Sequence, residues 1–424
     1  MKPTHFITAL AFCLGFTTIQ AQTAFDTYAV TGVTLIDANH IPGLAHQTVV
    51  IRNGKVEKVF PDNTQALPDS VSIIRATGKY LIPGLIDTHV HMATDPSGTD
   101  NRANTLRVLE AMLRSGITTV RDMAGDARIL AGLARDARTG DILSPNIYYS
   151  ALMAGPEFFA DPRTHSSTAG GVAGEMPYMR AVTPTTDFIR AVAEAKGTGA
   201  TGIKLYADLD PGTVGKIVTE AKRQGLLVWG HAWLQRSKPS DLITAGVSSI
   251  SHAPLLLYET MDSIPAAWRH GHYDDKFWDD HIHADPAMLA GMKTHHTVLD
   301  ATMLTYERLG AEDSSRRYVI PVVRRLTSQV YKAGIAICTG TDDDQEVFVQ
   351  GEMEALVKDA GLSNADVLIA ATRNGALALG IESTTGTIEA GKTADLVVLD
   401  SNPLDDIDNV KSVYLVIKAG KIFK

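Results

Sequence analysis

Apolar positions near the start of the chain follow a strand-like rhythm. Val30, Val33 and Leu35 come first, then Val49-Val50-Ile51, then Val56 and Val59. Asn53-Gly54 separates two of these runs and is a strong two-residue hairpin signal. The far end has the same character: ADLVVLD at 394–400 and VYLVIK at 413–418 read as strands, with a turn at Ala419-Gly420. These ends predict one small β-sandwich domain built from residues 25–80 and 381–424.

Between them the period alternates. Short apolar runs predict strands at 81–91, 117–122, 146–152, 202–209, 227–232, 248–253, 296–301 and 334–342. Helical patterns fall between these runs. Asp210-Pro211 opens one helix, with Val214, Ile217, Val218 and Ala221 as its inner stripe. Another runs from the Ser363 cap to Gly380. Eight strand–helix units predict an α/β fold, a (β/α)8 TIM barrel, over residues 81–380. A doubly wound open sheet is the alternative, but no glycine-rich dinucleotide fingerprint supports it.

Composition narrows the functional classes. The 424 residues are 45% hydrophobic and 21% charged, as in a soluble globular protein. A net charge of −9 without a basic stripe speaks against nucleic-acid binding. Lys2, the apolar run 6–19 and Ala21 read as a signal peptide over residues 1–21, so a periplasmic or secreted location is expected. The run is shorter than the roughly 20 residues that span a bilayer, so no stable membrane insertion is expected. Of the two cysteines, Cys13 leaves with that segment and Cys338 stays, so no internal disulfide can form.

The fourteen histidines then become informative. His89 and His91 close the first barrel strand, and a period of two points them the same way. Lys204 sits inside the apolar run of strand four. His231, His252 and Asp342 end strands five, six and eight. Each alone reads as a structural residue. Together they converge on the C-terminal mouth of one barrel, where barrel active sites lie.

These segments resemble the amidohydrolase superfamily, and within it the imidazolonepropionase-like and prolidase-like metal-dependent hydrolases. The matching pieces are LIPGLIDTHVHM at 81–92, GIKLY at 202–206, GHA at 230–232, ISHA at 250–253, GTD at 340–342, AATRNGALALG at 370–380 and GTIEAGKTADLVVLD at 386–400. The resemblance implies two divalent metal ions, with zinc the first choice. His89, His91 and Asp342 would hold one ion, and His231 and His252 the other. Lys204, carboxylated by carbon dioxide, would bridge them. The implied activity is hydrolysis of an amide-type C–N bond by a metal-bridging hydroxide, with Asp342 as catalytic proton carrier. The first expected substrate is a small peptide, such as a dipeptide, or an N-acyl amino acid. A lactone or organophosphate esterase, a single-metal deaminase and a catalytically dead binding barrel are the alternatives.

Substrate contacts are expected from Tyr206 and Trp233, each two residues beyond a metal-ligand candidate. Arg180 and His165, in the long loop 155–182, are further candidates. His281 and His283 form a second His-x-His, but it falls in a loop where nothing holds both on one face. His270 and His272 read as surface, and His295-His296 as the bottom of strand seven. Asp343 and Asp344 read as solvated loop charges. The expected partner is a small-molecule or dipeptide substrate, and a homo-oligomer is compatible with the sequence.

Overall fold

The computed structural model describes residues 27–93, 101–342 and 348–423. The expected signal segment, with Cys13, and the pair Asp343-Asp344 lie outside the described residues. Among the described residues, no helix is long and apolar enough to cross a membrane.

The eight barrel strands are Leu85–Val90, Ile117–Asp122, Asn146–Ala154, Gly202–Leu205, Leu227–His231, Ser249–Ser251, Val298–Asp300 and Ile337–Cys338. Each pairs in parallel with the next. The eighth strand meets the first through Thr88 N–H to Thr339 O and Thr339 Oγ1 to Ile86 O, both 2.9 Å. These strands are buried on both faces, which explains their near-continuous apolar runs.

The helix Pro211–Gln224 begins where Asp210 accepts the Thr213 N–H at 3.0 Å, and stops at left-handed Gly225. Its Val214, Ile217, Val218 and Ala221 are buried, as the stripe predicts. Burying a Val or Ile contributes about 1.5–3 kcal/mol. The segment capped by Ser363 runs to left-handed Gly380 but contains a π-helical turn at Ala370–Asn374. That turn lets Asn374 Nδ2 donate to Ile337 O at 2.9 Å, tying the helix to the eighth strand. Ala378 O accepts from Trp229 Nε1 at 2.9 Å and Arg121 Nη1 at 3.4 Å, so the same segment grips side chains of two other strands.

The two ends of the chain form one continuous eight-stranded mixed sheet with its own buried cluster, including Val30, Leu35, Ile51, Leu396 and Ile417. The Asn53-Gly54 turn has φ of 49° and 77°, the paired left-handed geometry of a tight hairpin. The apolar run at 81–91 is two strands rather than one. Tyr80–Pro83 belongs to the small sheet and Leu85–Val90 to the barrel, so the chain crosses between domains at Pro83-Gly84.

Candidate metal centre

The first strand delivers His89 and His91 to the barrel mouth, and neighbouring elements fix the backbone there. Buried Asp87 accepts the N–H groups of His89 and Thr341, both at 3.1 Å, and the Thr341 hydroxyl at 2.8 Å. Asp122, ending the second strand, accepts the Met92 N–H at 2.6 Å. The His-x-His segment is therefore held from strand eight on one side and strand two on the other.

Asp342 meets both histidines: its Oδ1 lies 3.2 Å from His89 Nε2 and 3.0 Å from His91 Nε2. Donor atoms of His89, His252 and Asp342 all lie within 4.8 Å of one another. The His231 ring stands 4.3 Å from that of His252, and the His252 ring 5.1 Å from that of His89. Lys204, 1% exposed, donates from Nζ to Ser251 Oγ at 3.2 Å, and Ser251 donates onward to Asp300 at 2.9 Å.

Two hydrogen bonds orient the rings. Nδ1 of His89 donates to Asp300 Oδ2 at 2.6 Å. Nδ1 of His252 lies 2.9 Å from Thr302 Oγ1, whose own proton goes to Ala301 O. At His89 the opposite nitrogen, Nε2, faces Asp342 Oδ1, where a bound cation would take the place of its proton. Backbone strain collects here as well. His252, Thr302 and Asp342 all adopt positive φ, at 78°, 48° and 52°. Such conformations cost about 1–3 kcal/mol each and persist where surroundings impose them. His252 is pinned by its N–H to Asp300 O at 2.8 Å, and Asp342 by its N–H to His89 O at 2.7 Å.

The electrostatics match a cation site. Burial, then the Lys204 charge, pushes His231 well below the ordinary imidazole range. Burial, then His231, does the same to His252. Burial works against a charged His89, yet the Asp342 and Asp300 carboxylates raise its pKa. Burial also works against a charged Asp342, but His89 holds it well below the ordinary carboxylate range. Lys204 is pushed down to about 7 by burial, against the pull of Asp300. Neutral imidazoles at His231 and His252, an ionised carboxylate and a lysine that gives up its proton easily are a donor set suited to divalent transition metals.

Beside His231 opens a cleft of about 420 Å³ lined by Phe158, Asp161, Arg163, Tyr206 and Trp233, among others. The Tyr206 ring packs 4.5 Å from His231, and Trp233 stacks on Tyr258 at 3.7 Å. Tyr206 and Trp233 both line the cleft, each just past the end of its strand. His165 and Arg180 do not line this cleft. His165 is exposed on the short helix Pro162–Ser166. Arg180 donates to Glu175 O and lies 3.5 Å from Glu194, so its charge is already answered. His281 and His283 each turn back to a backbone carbonyl, of Phe277 and Asp280 respectively.

Sequence reasoning missed Asp300, Ser251, Thr302 and Arg163. Asp300 carried a usable signal, a carboxylate closing the apolar run VLD of strand seven. Arg163 carried none, because its place over the cleft depends on the fold of a long insertion.

The amidohydrolase family model matches residues 80–423. Ochratoxinase from Aspergillus niger is 26% identical over 388 residues, covering 81% of this chain and 75% of that protein. A Xaa-Pro dipeptidase with methionine bound in its active site superposes with a TM-score of 0.77 at 21% identity, covering 94% of this chain and all of the other. A prolidase complexed with N-methylphosphonate-L-proline superposes with a TM-score of 0.72 at 25% identity, covering 94% of this chain and 99% of the other. With the family match spanning both the barrel and the C-terminal strands of the small sheet, the chain belongs to the amidohydrolase family.

Proposed function

We propose that this metal-dependent amidohydrolase cleaves the amide C–N bond of a small peptide or N-acyl amino acid. The observation that carries the reading is the contact of His89, His91 and Asp342 above a buried Lys204, with His231 and His252 on the adjacent strands. His89, His91 and Asp342 would hold one divalent ion, His231 and His252 a second, and carboxylated Lys204 would bridge them. Bound there, such ions supply Lewis acidity and lower the pKa of water from 15.7 to about 7.

The protein's own groups do the rest. Neutral Lys204 Nζ forms an N–C bond to carbon dioxide and releases one proton, which leaves an anion with two oxygens. Asp342 Oδ1 faces the two first-strand histidines. Its Oδ2 is then the atom that takes the proton of the attacking water and returns it to the leaving nitrogen. Tyr206 and Trp233 line the space for the acyl or amine portion. Among the similar proteins, the names of a Xaa-Pro dipeptidase and a prolidase support a small-peptide substrate. Residues 1–21 support export as part of the same proposal. A hydrolysis screen over dipeptides, N-acyl amino acids, lactones and phosphotriesters tests the bond. Turnover of the amides is expected, and turnover confined to lactones or phosphotriesters would overturn the reading.

A further inference from the structure

A second cavity, of about 460 Å³, lies away from the metal ligands among the segments that follow barrel strands six and seven. Its walls come from the helices Ala266–His270, Asp275–His281 and Val319–Lys332 and the chain around them. Tyr273 and Tyr318 offer apolar surface, backed by the buried Trp268 and Trp278. Trp268 and Trp278 pack edge to face at 5.2 Å, and Tyr273 meets Trp278 the same way at 5.5 Å. These aromatics hold one another in place, so the cavity wall is preorganised rather than a gap between mobile side chains.

The charges around it are lopsided. Arg324 is answered by Glu307 at 2.7 Å and Asp359 at 2.9 Å. Arg325 is answered by Asp279 at 2.7 Å and Asp275 at 3.0 Å, which takes up the carboxylate on this cavity's own rim. Arg269 and Arg317 also line the cavity, and neither has a carboxylate partner among the described residues. Arg269 lies over the Tyr318 ring at 6.0 Å, so an aromatic wall holds the guanidinium beside the opening. In a chain of net charge −9, two unanswered arginines over one aromatic cavity are a local positive field.

We infer that this cavity binds a small organic anion with a flat ring, an aromatic carboxylate, whose ring lies against Tyr273 and Tyr318 and whose carboxylate meets Arg269 and Arg317. A guanidinium binds a carboxylate through paired N–H donors, and the ring recovers the apolar area of the wall. Phosphate or acetate alone would forgo the aromatic contact, and a neutral ring would forgo the charge. The site does not depend on the metal centre or on the reaction assigned above.

Calorimetric titration with 4-hydroxyphenylacetate tests this, with acetate and the neutral alcohol 2-(4-hydroxyphenyl)ethanol as controls. Saturable binding is expected for the aromatic carboxylate and much weaker binding for either control. The double variant Arg269→Ala/Arg317→Ala should lose roughly tenfold or more in affinity, since each charged hydrogen bond is worth about a decade. Protein stripped of metal by a chelator, with its fold checked by circular dichroism, should keep the wild-type affinity. Absence of saturable binding up to millimolar concentrations would overturn the inference. So would equal affinity in the double variant, equal binding of the neutral alcohol, or binding that vanishes with the metal.

Discussion

Asp300 Oδ2 lies 2.6 Å from His89 Nδ1, and both side chains are almost wholly buried. The opposite nitrogen of His89, Nε2, lies 3.2 Å from Asp342 Oδ1, where a bound cation would take the place of its proton. Asp300 also accepts from Ser251, which in turn accepts from Lys204. One carboxylate thus orients a histidine of the first strand and reaches the lysine of the fourth. Partners of this kind set ring orientation and basicity, and losing one typically costs 10–100-fold in metal affinity. Asp300→Asn should weaken metal binding by about that factor, measured by chelator competition, with little loss of secondary structure. Unchanged affinity would show that His89 is oriented by packing alone.

Gly340, two residues beyond strand eight, passes close to that pair. A Cβ there would lie 2.3 Å from Asp300 Oδ1 and 2.7 Å from the His89 Cβ. Neither neighbour can retreat into a close-packed barrel without moving its partner. Gly340→Ala should therefore cost about 1–3 kcal/mol in urea unfolding, the usual penalty for overpacking. It should also reduce bound metal in the folded protein. A variant with wild-type stability and metal content would mean the strand shifts freely.

The small sheet offers a pH test away from the metal ligands. Burial raises the Asp395 carboxyl to about 6, against the Ala419 N–H it accepts at 2.7 Å and the nearby Lys418 charge. A raised carboxyl favours folding while protonated, so its contribution is full below the ordinary pKa near 4 and is lost as pH rises through about 6. Asp395→Asn removes this titration. The stability difference between variant and wild type should move in the variant's favour by up to about 3 kcal/mol between pH 4 and pH 7. Unfolding midpoints that keep a constant difference across that range would contradict the assignment.

Where sequence and structure agree, the reason is local periodicity. His89, His91, His231, His252 and Asp342 sit at or just past the ends of short apolar runs and Lys204 inside one, and strand geometry gathers such ends at one mouth. Asp300 ends a run in the same way, but its role depends on His89, over two hundred residues earlier, being its neighbour. The run at 81–91 hid a domain crossing, because the chain changes its pairing partner after Gly84, from Leu396–Leu399 to Ile117–Asp122, without a break in the apolar pattern. Arg180 shows the opposite limit. Its sequence neighbours do not reveal that Glu194, on the following helix, stands within 3.5 Å.

Metal analysis of the purified protein tests most directly whether it holds the proposed two-ion centre bridged by Lys204. After incubation with excess zinc and removal of the unbound ion, wild-type protein should retain about two ions per chain, and Lys204→Ala should lose most of them. Wild-type protein that binds none, or a Lys204→Ala variant that still holds two, would contradict it.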